Sequence, residues 1–414
     1  MNNDKLRRSS GFSLVEIMVG LTVGLVTVLV VMQVMEVAES RKRATTSGSD
    51  AVVNAALGLY TIERDGKNAG YGMTTVRNSV GCQIKYKYGS SAEANFSLTP
   101  VEISDDAAGG PDTIKFMASN KNGVTLPVRI AVDHPRTATN FFVESDLGVH
   151  IGDMMIAVPS VMNTATPPTT WCSVFQVTGT GGGAGGGAGG GSGGGSGGNS
   201  GDGSGGGSGG GNGAGNGNAQ GQNQVLHNSG QSEWNQPGGS VIFPDAGYSA
   251  GDYVINLGSF LDHTYLINNN FLVLRDKNWI TNTSTDQNLY PNIVQLQAVY
   301  GKDTTTPPDN VVDQWNATAP TTAAGWQQVI ALRVALVARG QSPEPGIVTL
   351  DGTAAASTCN SATPHPAAVC WRPDPNGNGV AINVNVSNTN PNWQRYRYRV
   401  VETTIPLRNI IWQQ

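Results

Sequence analysis

From Phe12 to Met35 the chain runs for 24 residues with a single charge, Glu16. As a helix rising about 1.5 Å per residue it would be about 36 Å long, enough to cross a hydrocarbon core of about 30 Å. Such a run must be covered by lipid or by other chains, so any head has to fold from the residues beyond it. Ahead of it lies a short polar leader with Lys5, Arg7 and Arg8. A secretory signal has a shorter apolar core, then small residues at a cleavage site. Here the run is long and "MEVAESRKR" comes next, so a retained membrane helix is predicted over 12–35. Three basic residues precede it and three come after (Arg41, Lys42 and Arg43), so charge alone does not orient it.

Glu16 is costly in a bilayer and needs a reason. Gly20 and Gly24 form a G-x-x-x-G pair that permits close helix contact, a pattern also common by chance. Beyond the membrane run, Val52, Ala55, Ala56, Leu59 and Ile62 recur at helical spacing. They predict one helix over 12–66, packed on a sheet and ended by the glycines at 66–72.

After about residue 80 the chain turns to short apolar or alternating runs between turn residues. "PDTIKFMAS", "VRIAV", "NFFVES", "HIGDMMIAVPS" and "CSVFQVT" read as strands. So do "DYVINLG", "TYLINNNFLVLR", "NIVQLQAVYG" and "WQQVIALRVALVARG". The last places Ile330, Leu332, Val334 and Leu336 on one face, as a strand with one side on a core would. The fold class is α+β: a long N-terminal helix, then a mostly antiparallel β head in two halves, 67–178 and 223–414.

The halves are separated by a glycine tract over 179–222. From Gly179 to Gly221, 27 of 43 residues are glycine and the single charge is Asp202. Such a stretch cannot bury enough apolar surface to offset its ordering entropy, so a disordered surface loop is expected, its free ends about 35 Å apart. Gly190 to Gly194 fit G-x-S-x-G literally. A nucleophile elbow needs a strand before and a helix after, so the match is discarded.

Cys82, Cys172, Cys359 and Cys370 all lie after the apolar run. An even count on one side of a membrane segment points to disulfides in an oxidising compartment. Cys359 and Cys370 are close in sequence and are the favoured pair, which leaves Cys82 with Cys172. Three pairings are possible in all, and four free thiols are the further alternative.

No metal or cofactor is expected. His134, His150, His227, His263 and His365 are scattered, with no metal or catalytic spacing. No carboxylate cluster suits calcium. Asp105–Asp106 and Asp262–His263 read as surface or turn residues, and no enzyme is predicted. Net charge is −5 with only 13 % charged residues, which argues against wholesale nucleic-acid binding. Arg395, Arg397 and Arg399 alternate with Tyr396 and Tyr398, a pattern that can hold single-stranded nucleic acid. The outer face of a half-exposed strand reads the same way and is preferred.

The stretch "GFSLVE" resembles the processing site of type IV prepilins. In that family a membrane peptidase cuts after the glycine on the cytoplasmic side and methylates the new amino terminus. The resemblance implies a leader over 1–11, cleavage between Gly11 and Phe12, N-methylation of Phe12, and Glu16 as the acidic residue five places in. It also implies a cytoplasmic leader and a head outside the inner membrane. A neighbouring subunit's Glu16 would pair with the Phe12 amine. Because breaking a buried pair is costly, wrong registers would be penalised. Many filament-building pilins carry a proline two-thirds along the helix where this chain has Gln33, a mild sign of a minor subunit.

A narrower resemblance is to the PilW family of minor pilins. It rests on "IERDGKNAGYG", "CSVFQVT", "NIVQLQAVYG", "WQQVIALRVALVARG" and "TTIPLRN" in that order. It implies a subunit that primes pilus assembly and sits at the filament tip. The implied partners are prepilin peptidase, other minor pilins and the major pilin, the inner-membrane assembly platform and, in some members, a tip adhesin. Twitching motility and adhesion would result. The rival readings are a type II secretion pseudopilin and a pilus-tip receptor for DNA or a surface.

Overall fold

The computed structural model describes residues 11–411 apart from 77–78, 122–125, 163–168, 182–222, 236, 238, 362 and 386–389. The leader up to Ser10 and the disorder expected over 182–222 lie outside the described residues. The chain opens with helix α1, Leu14–Asn68. Strands β1 Cys82–Tyr86, β2 Ala94–Leu98, β3 Val101–Ser104, β4 Thr113–Ala118, β5 Val128–Arg129 and β6 Asn140–Val143 come after it. Next are β7 Met154–Val158, β8 Cys172–Gln176, β9 Gly179–Gly181, β10 Asn223–Leu226 and β11 Tyr253–Gly258. The second half supplies β12 Leu261–Asn268, β13 Phe271–Asn278, β14 Thr283–Pro291, β15 Ile293–Lys302 and β16 Gln314–Asn316. It closes with α2 Ala323–Gln327, β17 Val329–Arg339, α3 Gly352–Cys359, β18 Cys370–Trp371, β19 Val380–Ala381, β20 Tyr398–Pro406 and α4 Arg408–Ile411.

The strands form a six-stranded sheet (β2-β1-β8-β7-β11-β5), a five-stranded sheet (β14-β13-β12-β4-β3) and a four-stranded sheet (β16-β15-β17-β20). Two small sheets, β6-β10-β9 and β18-β19, complete the head. Pairing is antiparallel except between β1 and β8. The α+β class therefore holds, with an apolar helix leading a mostly antiparallel β body.

Two expected elements differ in detail. "TYLINNNFLVLR" is a hairpin, broken at Asn269 (φ 50°) and Asn270 (φ 61°). Two consecutive positive φ angles make the tight turn whose twist suits flanking strands, and asparagine tolerates them. Gly179–Gly181, expected inside the loop, are a strand: β9 pairs with β10, Gly181 opposite Gln224. Strand β14 gives no strand signal in the sequence, because its residues Thr283–Asn288 are polar and exposed on both faces, with no alternation to read.

The first half of α1 is rich in valine, a mediocre helix former in water. Its helicity suits an apolar medium, where backbone groups must bond within the segment. The second half buries Ala51, Ala55, Gly58, Leu59, Ile62, Gly66 and Ala69 against the four- and five-stranded sheets. Val52 and Ala56, expected on this stripe, lie one step round the helix and are exposed. The true stripe is made of smaller residues, so the sheets come close. A Cβ built on Gly66 would sit 2.9 Å from Ile405 Cγ2 and 3.3 Å from Phe116 Cε1. Gly66→Val should therefore cost about 1–3 kcal/mol through overpacking. Thermal unfolding of the full chain in detergent checks this, and an unchanged midpoint would mean the helix rides further from the sheet.

Strand β17 is buried on both faces, not one. Ile330, Leu332, Val334 and Leu336 face α1. Ala335 and Val337 face a second cluster with Val369, Trp371, Ile382 and Tyr398. The excursion from Gly340 to Arg397, held by α3 and the β18–β19 pair, folds back over the face expected to meet water.

Candidate functional site

The residues singled out in the sequence fall at two ends of the molecule. Gly11, Phe12 and Ser13 are non-helical, and α1 opens with Ser13 as its extended N-cap (φ −70°, ψ 144°). The Ser13 carbonyl accepts from the amides of Glu16 (3.0 Å) and Ile17 (3.2 Å). The Gly11–Phe12 bond thus lies in exposed chain just ahead of the first turn, with Phe12 79 % exposed. A hydrolase that binds extended backbone could reach it without unwinding the helix. Glu16 is exposed in that first turn, where the partial positive charge of the helix N-terminus favours a carboxylate.

From Leu14 to Glu39 the helix has a mean hydropathy of 2.5, and none of its apolar core is covered by the rest of the chain. By length and composition it can cross a membrane. Its hydroxyls are spent internally: Thr22 Oγ1 donates to Val19 O and Thr27 Oγ1 to Val23 O. Gly20 and Gly24 leave open space beside the helix.

The head carries two disulfides. Cys82–Cys172 joins β1 to its parallel neighbour β8 across 90 residues, fully buried. Cys359–Cys370 closes an 11-residue separation between α3 and β18.

The helix is fixed to the head by a polar joint that the sequence pattern does not announce. Asp65 sits on the buried stripe one turn past Ile62. His263 Nδ1 lies 2.7 Å from Asp65 Oδ2, and the Tyr265 hydroxyl donates to the same oxygen at 2.6 Å. The sequence reads Asp262–His263 as a surface or turn pair, and the structure corrects both assignments. They lie in β12, a central strand flanked by β4 and β13. Alternation sends His263 and Tyr265 toward α1. It sends Asp262 to the other face, where its Oδ2 accepts from Trp279 Nε1 at 3.0 Å. The signal available was the alternation of "LDHTYLIN" set against one acidic residue on an apolar helical stripe.

Burial drives the Asp65 carboxyl up, but the bonds from His263 and Tyr265 and the charges of His263 and Arg64 outweigh it, leaving the pKa lowered. Burial pulls His263 down, but Asp65, helped by Asp276 and Asp262, leaves it raised. The raised histidine contributes its full stability below the unfolded value of about 6.5 and loses it as pH rises through the folded value. The lowered aspartate contributes fully above about 3.9 and loses it as pH falls through its folded value. The joint should hold best between about pH 4 and 6.5. Melting midpoints of the full chain against His263→Gln across pH 4–9 check this. The difference between them should shrink toward the alkaline end, and a constant difference would remove the ion pair from the account.

Arg395, Arg397 and Arg399 do not form one outer row. Arg395 lies in a 3-10 turn and donates from Nε to Glu344 O, while Arg397 pairs with Glu344 Oε1 at 2.9 Å. Only Arg399 is within β20. Two of the three guanidinium groups hold the Gly340–Arg397 excursion in place. A cleft of about 250 Å³ beyond the helix end is lined by Thr74, Val80, Asp303, Pro308, Gln328 and Ile410. The Asp303 carboxylate there is spent on Thr305, Asp309 and Asn310. Among the described residues no group of three or more His, Cys, Asp or Glu could hold a metal.

The helix is bare and apolar in its first half and docked along a β head in its second, which suits it to membrane anchoring. Residues 263–409, about a third of the chain, match the family described as type IV pilus-assembly protein W, and this match supports a PilW-like type IV pilus protein. The matched stretch runs from His263 in β12 to Asn409 in α4 and contains β17 and β20, which pack on α1. The match supports involvement in type IV pilus assembly and interaction with other pilus components. No curated protein and no solved structure matches the chain.

Proposed function

We propose that the chain is a minor pilin, cut by prepilin peptidase between Gly11 and Phe12, methylated at Phe12, and assembled through α1 near the filament tip. The observation that carries this is the exposed, non-helical Gly11–Phe12 bond ahead of an uncovered apolar helix with Glu16 in its first turn. Once cut, the Phe12 amine is a cation at the mouth of that helix, and Glu16 of an adjoining subunit is its natural partner. The leader would lie in the cytoplasm, the head in the periplasm, and the assembled protein on the cell surface. There, with other minor pilins, the major pilin and the assembly platform, it would prime the fibre for adhesion and twitching.

Mass spectrometry of the N-terminal peptide, from membranes and from sheared surface fibres, tests this. A peptide beginning at methylated Phe12 in the fibres is expected. The same peptide confined to membranes would favour a secretion pseudopilin or a priming subunit left behind. An intact leader in every fraction would overturn the proposal.

A further inference from the structure

Apart from the helix joint, the head buries a second pair of titratable groups. The imidazoles of His134 and His227 meet Nε2 to Nε2 at 2.9 Å, and the residues are 2 % and 5 % exposed. His134 comes after β5, in a segment bridged to Tyr248. His227 lies directly after β10, with its amide bonded to Thr139 O. Around them stand Phe141 of β6, Phe175 of β8 and Phe243, with His134 stacked on Phe141 at 3.7 Å. The pair therefore sits in the apolar seam between β6-β10-β9 and the outer face of the six-stranded sheet, where Met155, Ala157, Phe175 and Val254 lie.

One imidazole must donate and the other accept, so the accepting ring must be neutral. His134 Nδ1 has no hydrogen-bond partner, so the polar contact of the His134 ring is the one it makes with His227. Charging one ring would bury a cation in an aromatic box, and charging both would also set two N–H groups head to head. The charged and titratable groups on the surrounding segments offer no relief. Asp133 accepts from Ala250 N, and Arg136 pairs with Asp245. Asp252 accepts from Ser160 and Ser249, and the Tyr248 hydroxyl is engaged with Trp171 O and Ser173 Oγ. None of them bonds either ring.

We propose that the His134–His227 pair is an acid-released latch that holds the three-stranded sheet β6-β10-β9 on the head at neutral pH and lets it open in acid. Burial holds His134 down to about 4, and burial with the His134 charge holds His227 down to about 3. A depressed base favours the open, protonated state as pH falls below about 6.5. Each histidine contributes up to about tenfold per pH unit to the opening constant, so the pair contributes up to about a hundredfold.

Hydrogen exchange of the full chain in detergent, corrected for intrinsic rates, tests the latch between pH 7.5 and 5. Peptides covering 139–144 and 223–227 should lose protection by more than tenfold per pH unit below about 6, while those from β15 and β17 hold theirs. A variant with His134→Phe and His227→Leu should lose this pH dependence. Should it fail to fold, the wild-type imidazole resonances decide, since the latch requires both rings neutral at pH 5.5. Flat protection in the wild type, equal loss in β15 and β17, or an unchanged acid response in the variant would each overturn the proposal.

Discussion

Replacing Glu16 with glutamine should leave the head folded and the leader cut, yet lower recovery of the chain in sheared fibres by at least about tenfold. The substitution keeps the size of the side chain and removes its charge. In the proposed assembly this strands the Phe12 amine in an apolar bundle, and removing one partner of a buried pair costs about 3–5 kcal/mol. Each 1.4 kcal/mol is about tenfold in an equilibrium, so a tenfold loss is the lower bound. The check is the ratio of the Phe12-initiated peptide in fibres to that in membranes, wild type against variant. Equal ratios would leave Glu16 without an assembly role. A normal head in the variant is expected because Glu16 is far from every buried cluster and is exposed along the bare helix.

The second large effect concerns the two disulfides, which should be unequal. By the chain-entropy account a crosslink stabilises in proportion to the logarithm of the loop it closes. The Cys82–Cys172 separation of 90 residues gives about 4–5 kcal/mol, and the Cys359–Cys370 separation of 11 gives about 3 kcal/mol. Paired serine substitutions, tracked by denaturant unfolding of the full chain in detergent, should therefore damage the first site more. Burial adds a smaller contrast, since Cys82, Cys172 and Cys359 are all buried while Cys370 is half-buried. If removing the Cys359–Cys370 bridge proved the more costly, the excursion over β17 would be the element on which the head depends.

Much of this architecture is written in local pattern. The long helix, the strands with clear alternation and the apolar span all declare themselves, because period and length are properties of adjacent residues. The features that failed to show were decided by neighbours distant in sequence. Strand β17 reads as one-sided until Val369, Trp371 and Ile382 arrive from the later excursion to cover its other face. Arg395 and Arg397 read as a solvent row until Glu344 claims them. His263 reads as a turn residue beside an aspartate. Only the docking of α1, nearly two hundred positions earlier, supplies Asp65 and makes it a joint. Small residues on the helix stripe are also easy to misjudge, because large apolar side chains mark a core more visibly than the glycines that let two elements touch.

The pairing of β9 with β10 has a practical consequence for engineering. Gly181 and Gln224 are cross-strand neighbours, so whatever chain is threaded between them leaves and returns at one spot on the head. Closing such a loop costs only about 0.6 kcal/mol more for each doubling of its length. The position is therefore a port: an epitope, a fluorophore-binding tag or a small folded domain could be spliced in there. The strands that grip α1 would not be disturbed.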